Sequence, residues 1–285
     1  MALVAPAAGG RLADADRFIV DAGGAESNVA AHVAALGRRA GWCSRLGDDA
    51  LGHRVAAQLA RRGVELTGVA FDAARPTGLY VKDPGAGVSY YRAGSAAAGL
   101  TAADAAAVPL DGVRVLHVSG VTAAISATAA AFLDRLVNRA RDAGVTVCFD
   151  VNHRPRLWGE AAAAAALDPF VRRADIVFTG RDEAAALWGT TDAASVRQRF
   201  PEPGELVVKD GATGATAFAG GEAAFEPSPP VEVVDAVGAG DAFAGGYLAA
   251  RLGGAPLRMR LRAGHARAAL TMGTTWDSLP EGGHE

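Results

Sequence analysis

From about residue 110 onward, short apolar runs alternate with helix-patterned stretches, and that rhythm admits few folds. Val113–Val118, Val145–Asp150, Ile176–Thr179 and Leu206–Lys209 are apolar at nearly every position, the pattern of strands buried on both faces. Between the first two, Ala129–Ala143 sets Phe132, Leu133, Leu136 and Val137 on one helical face, and Gly144 ends it. Further helices are expected around Ala161–Arg172 and Asp182–Leu187. Such alternation predicts an α/β fold, a mainly parallel sheet with helices on both faces. Ligands in such sheets bind beyond the carboxyl ends of the strands. Asp150, Thr179 and Lys209 all fall at those ends.

The chain then reaches Val233-Val234-Asp235-Ala236-Val237-Gly238-Ala239-Gly240-Asp241, followed by an apolar-periodic helix. Gly238 and Gly240 let the backbone approach a ligand and aim successive N–H groups at one point. The helix N-terminus adds unpaired donors and the positive end of its dipole, so the turn suits phosphate. Asp241 is a poor phosphate ligand because like charges repel. It fits either of two roles: a general base for an attacking hydroxyl, or an N-cap.

The N-terminal third is different in kind. A helix at Ser27–Leu36 follows Gly23-Gly24, and Trp42–Leu46 and Val69–Phe71 read as short strands. Thr77–Lys82 and Val88–Arg92 flank the turn-rich Asp83-Pro84-Gly85-Ala86-Gly87 and form a hairpin. With Arg17–Val20 they make a small sheet that needs the main body to cover one face. On the hairpin, Tyr90 and Arg92 share a face, Tyr91 points away, and Tyr80 can line up with Tyr90.

With 285 residues the chain is long enough for one well-cored domain, and its net charge of −3 gives no reason to expect nucleic acid or an anionic membrane as partner. No apolar run spans a bilayer and no secretory leader is read, so the expectation is cytoplasmic, with Cys43 and Cys148 as buried free thiols. Lys82 and Lys209 are the only lysines; the many arginines carry a surface expectation.

Three stretches stand beside the glycine turn: Gly23-Gly24-Ala25-Glu26-Ser27-Asn28, Tyr90-Tyr91-Arg92-Ala93-Gly94-Ser95, and Asp150-Val151-Asn152-His153-Arg154-Pro155-Arg156-Leu157-Trp158. Together they resemble the ribokinase-like, or PfkB, carbohydrate kinases, and within that family the 2-keto-3-deoxygluconate kinases. The resemblance spans nearly the whole chain. It implies one ribokinase-like domain over residues 1–285, with a β lid from about 11–21 and 69–93 and the family's first strand missing or truncated. It also implies ATP and Mg²⁺ as cofactors, and a homo-oligomer formed through the lid.

Site roles follow from the same resemblance. Gly24, Asn28, Tyr80, Tyr90, Arg92 and Arg154 would face a sugar acid, the phenols taking hydroxyls and the guanidinium a carboxylate. For Arg92 the competing reading is a surface side chain, and for Asn28 a helix cap. Asn152 would lie beside the nucleotide, with Lys209, Gly211 and Gly214 in a turn against ATP. Asp241 would take the proton of the C6 hydroxyl while amides of Gly238, Ala239 and Gly240 stabilise the transferring charge. Glu183 would reach Mg²⁺ through water, although the family's Asn-x-x-Glu reads Gly180-Arg181-Asp182-Glu183 here. The usual Thr before the glycine turn is Ala236, and His153 is a bystander.

Rival readings keep the scaffold and change the sugar to fructose, ribose or 2-keto-3-deoxygalactonate, or keep binding and impair catalysis. A dinucleotide fingerprint fails because Phe243 stands at its third glycine, and no Gly-Lys-[Ser/Thr] phosphate loop exists.

Overall fold

The structure is a computed structural model and describes residues 1–277. The chain opens with β1 (Ala2–Pro6) and β2 (Phe18–Ala22), then α1 (Ala25–Ala35), β3 (Ala40–Gly47), α2 (Ala50–Arg61) and β4 (Val64–Asp72). The hairpin β5 (Leu79–Asp83) and β6 (Gly87–Tyr91) follows, then α3 (Ala102–Ala107). The body continues through β7 (Val115–Ser119), α4 (Gly120–Ile125), α5 (Ala127–Asp142), β8 (Thr146–Asp150), α6 (Glu160–Arg173), β9 (Ile176–Gly180), α7 (Arg181–Trp188) and α8 (Ala193–Arg199). It closes with β10 (Glu205–Asp210), β11 (Gly214–Ala219), β12 (Glu222–Pro227), α9 (Ala239–Leu252) and α10 (Leu257–Met272).

The main sheet has the order β12-β11-β10-β9-β8-β7. β7 to β10 are mutually parallel, while β11 and β12 fold back as antiparallel hairpin strands. Alternation along each parallel strand splits its residues between two cores. Val147, Phe149, Val177, Leu206 and Val208 face the side covered by Phe132, Leu133 and Leu136 of α5 and Leu167 of α6. Cys148, Ile176, Phe178 and Val207 face the other side, under Val29 of α1, Phe243 and Tyr247 of α9, and Leu261 of α10. Both faces of β8 to β10 are largely dry, which is why these strands read as mostly apolar runs. Cys43 and Cys148 are free thiols whose pKa burial pushes up.

The lid sheet has the order β2-β1-β5-β6. It differs from the expected lid in two ways. Ala2–Pro6 belongs to it, paired antiparallel with β2 and parallel with β5. Residues 69–72 do not, because β4 pairs parallel with β3 as the second half of a β-α-β unit around α2. A buried ion pair, Arg62 to Asp21 at 2.6 Å, pins the end of α2 to lid strand β2.

Among the described residues no strand bridges β7 and β3, so the six-stranded sheet and the β3–β4 pair face each other across a slot. The slot has a volume of about 670 Å³ and is walled by Ala40–Ser44 on one side and Val113–Val118 on the other. Leu116 and His117, on the edge strand β7, are therefore only half-buried. The α-amino group of Met1 borders the slot, and burial lowers its pKa to about 6. An apolar strand of about six residues fused ahead of Met1 is expected to pair with both open edges. Differential scanning calorimetry should then show Tm raised by roughly 5 °C or more. An unchanged Tm would mean the slot does not accept a strand.

Candidate active site

Two helices meet at the carboxyl end of the sheet because glycine lets them. A Cβ on Gly245 of α9 would lie 2.5 Å from the Cβ of His32 on α1, a separation only glycine permits. One turn toward each N-terminus from that contact stand Asp241 and Asn28. The amide of Asn28 donates to Oδ2 of Asp241 at 2.8 Å. Asn28 is therefore neither a cap nor a bystander: it holds the carboxylate of the glycine-turn helix.

Gly238 is the N-cap of α9 in the left-handed conformation, φ 83°. A Cβ there would meet the Cα of Asp277 at 2.9 Å, so both conformation and contact demand glycine. The turn keeps one amide for itself: Ala239 N–H donates to the Ala236 carbonyl at 3.3 Å. That is a departure from the expected role of Ala239, whose amide is engaged by turn closure. Gly240 lies against Lys209, whose Nζ would sit 3.5 Å from a Cβ at that position.

Asp241 is buried, and burial is the main reason its pKa rises to about 7. The Asn28 hydrogen bond and Arg154 pull it down, while Asp150 and Asp277 push it up. A carboxyl near neutrality suits a general base. Asn28→Ala removes a donor to the charged form, so the pKa of Asp241 must rise. The acid limb of kcat/KM against pH should move upward by about one unit. A limb that stays in place would show that Asn28 does not tune the base.

Lys209, next to last in β10, pairs with Asp150, the last residue of β8, at 3.3 Å. Burial opposes its charge, but Asp150, Glu183 and Asp241 prevail and its pKa is raised. Gly211 and Gly214 shape the β10–β11 hairpin, φ 48° and 144°. Gly214 also passes beneath β12, where a Cβ would lie 2.4 Å from the Glu226 carbonyl. The turn glycine is thus fixed by packing of the fold.

Asn152 is the one non-glycine residue with positive φ among those described, at 42°. Its Oδ1 and both ring nitrogens of His153 are buried with no protein partner. This loop, between Asp150 and the exposed Arg154, thus carries polar groups ready for a ligand. Glu183 caps α7 and is well engaged: Oε2 accepts from Gly180 N–H and Thr179 hydroxyl, each at 3.0 Å, and Oε1 from His153 N–H. Burial first, then Asp150, raise its pKa.

The lid supplies the opposite wall. Tyr80 and Tyr90 are cross-strand partners with ring centroids 5.8 Å apart, and the Arg92 guanidinium lies 4.3 Å over the Tyr90 ring. Burial lowers the pKa of Arg92 and Arg154 adds to this, against Tyr90 and Glu26, which favour its charge. Nε of Arg92 is buried without a partner. Tyr91 is exposed, on the outer face of the hairpin. Tyr80 leans on Gly23, where a Cβ would overlap its hydroxyl, and donates that hydroxyl to Asp277. At the other end of the apolar glycine opening, Gly24 has φ 140° and N-caps α1.

Asp277 was not foreseen. It is buried, carries no motif in its Thr274-Thr275-Trp276-Asp277 stretch, and reaches the site only because α10 returns the chain to it. No local signal in the sequence finds such a residue.

The site fits a phosphate-rich nucleotide: a glycine turn at a helix start, Lys209 and the unpartnered His153 ring offer donors, and the free Oδ1 of Asn152 accepts. Among the described residues no three His, Cys, Asp or Glu side chains form a cation cage. Mg²⁺ would then be held chiefly by phosphates and water, as it commonly is. An α/β fold with a lid, an anion turn and a buried carboxylate beside it defines a phosphoryl-transfer enzyme of the sugar kinase type.

Residues 1–280 match the pfkB family carbohydrate kinases, and the chain belongs to that family. It is a carbohydrate kinase. The 2-dehydro-3-deoxygluconokinase of Bacillus subtilis is 35% identical over 270 residues, covering 92% of this chain and 83% of the relative. The 2-dehydro-3-deoxygalactonokinase of Haloferax volcanii is 33% identical over 278 residues, covering 95% and 87%. The crystal structure of 2-dehydro-3-deoxygluconokinase from Thermotoga maritima superposes with a TM-score of 0.90 at 27% identity, covering 98% of this chain and 92% of that one. No helix among the described residues is long and apolar enough to cross a membrane.

Proposed function

We propose that this kinase phosphorylates 2-keto-3-deoxygluconate on its C6 hydroxyl. The observation that carries the reading is Arg92, half-buried over the Tyr90 ring on the lid with its Nε unpartnered, and Arg154 within electrostatic reach of it. A half-buried guanidinium short of a partner, with a second, exposed one acting on it, favours a ligand that brings a negative charge. A neutral sugar brings none. Two relatives named for keto-deoxy sugar acids support the same substrate class.

The chain's own residues account for the chemistry. Tyr90 and Arg92 orient the acid end, and Asn28 and Asp241 meet the far end. The Asp241 carboxylate accepts the proton of the attacking hydroxyl, and its near-neutral pKa lets it hold that proton until product leaves. ATP supplies the phosphoryl group and Mg²⁺ offsets its charge. Gly238, Gly240 and Lys209 steady the transferring group at the start of α9. Lid strands β5 and β6 exclude water, which limits idle ATP hydrolysis.

The test is product identity. Incubation with Mg-ATP and 2-keto-3-deoxygluconate should give a single phosphate ester, its ³¹P signal correlated with the C6 protons. A different ester position, or no ester while a neutral sugar is phosphorylated, would overturn the reading.

A further inference from the structure

Of the two lysines, the phosphate site uses Lys209; Lys82 stands on lid strand β5 and is the more deeply buried of the two. Its ammonium donates to Oδ2 of Asp235 at 2.6 Å and to the Thr275 carbonyl at 3.0 Å. It also pairs with Oδ1 of Asp277 at 2.5 Å. Three oxygens from two separate loops thus converge on one cation supplied by a third element. Asp235 in turn accepts from the Val237 N–H at 2.9 Å, one residue before Gly238. Asp277 packs its backbone against Gly238 and takes the Tyr80 hydroxyl. Tyr80 and Lys82, two apart on β5, therefore grip the two oxygens of one carboxylate.

We propose that Lys82 is a positioning residue that locks the Asp235–Gly240 turn and Asp277 into register when the lid is shut. It touches no reacting atom. Its charge offsets two carboxylates that would otherwise repel across a buried gap, one at the root of the anion turn and one against the turn's first glycine. Without it the turn loses the tie that fixes where its amides point. A misplacement of about 1 Å in such a site costs on the order of 100-fold in rate. The lid thereby contributes to chemistry as well as to water exclusion.

This rests on the glycine turn being the site of transfer, and not on which sugar is used, so the test takes any sugar that wild type turns over. Lys82→Ala should lower kcat by about 100-fold while KM for sugar changes less than about threefold. Ethylammonium should restore kcat saturably, since it returns the cation to the gap; tetramethylammonium at equal ionic strength, which cannot donate hydrogen bonds, should not. A purely structural role would lower Tm without rescue. Should Lys82→Ala fail to fold, Asp235→Asn keeps the lysine and removes its partner on the turn. That variant should lose kcat with KM held. Lys82→Ala within threefold of wild-type kcat, a fall that ethylammonium does not relieve, or in the second variant an unchanged kcat, would each overturn the proposal. Asp241→Asn serves as the control: retained turnover there would indict the site and not the lysine.

Discussion

Asp241→Asn loses turnover by several orders of magnitude and becomes more heat-stable at pH 8. The loss follows from removing the group that accepts the hydroxyl proton. The gain follows from burial. Folding raises the carboxyl pKa from 3.8 to about 7, so the folded state holds the proton more tightly than the unfolded one. Below the unfolded value both states are protonated and there is no penalty. As pH rises toward 7 the unfolded chain sheds its proton while the folded one resists, and stability is lost. Above 7 the penalty is complete. By linkage it amounts to about 4 kcal/mol. The amide never ionises, and its oxygen still accepts from Asn28. The variant's Tm advantage should therefore be near zero at pH 4, grow to pH 7 and level off at roughly 5–10 °C. Measured by calorimetry across that range, a flat difference would show that Asp241 is not the buried carboxyl described, and substantial turnover would show that it is not the base.

Arg92→Ala separates an acid from a neutral sugar. Loss of a charge-assisted pair with a bound carboxylate costs about 2 kcal/mol or more, roughly 30-fold in kcat/KM for 2-keto-3-deoxygluconate. For fructose or ribose, if turned over at all, the change should be small. The guanidinium is partly desolvated, repelled by Arg154 and short of a partner for Nε, so its removal should scarcely lower Tm. Equal losses on acid and neutral sugars would mean that Arg92 supports the lid and reads no carboxylate.

The residues that could be read from sequence are those whose role is local. Strands β8 to β10 announced themselves because both faces are largely buried, and the glycine turn because Gly238 needs a left-handed φ at a helix start. Tyr90 and Arg92 followed from the two-residue period of a strand, and Tyr91 duly points outward. What stayed hidden is set by long-range return of the chain. Asp277 and the Lys82 contacts join residues far apart in sequence through α10 and β5, and nothing nearby marks them. The placement of β4 beside β3 depends on α2, whose Val55 and Leu59 form one buried face between the two strands of the unit. Gly214 was read as a nucleotide contact from its motif, yet its φ and its approach to the Glu226 carbonyl already require glycine for packing. Ala2–Pro6 pairs in the lid, and among the described residues no strand lies in the slot between β7 and β3.

The most direct measurement is kcat/KM by coupled ADP release with Mg-ATP, run in parallel on 2-keto-3-deoxygluconate, 2-keto-3-deoxygalactonate, fructose and ribose. The account predicts that 2-keto-3-deoxygluconate exceeds either neutral sugar by at least about 30-fold, the value of one charge-assisted contact. A neutral sugar turned over as well as or better than that acid would contradict it.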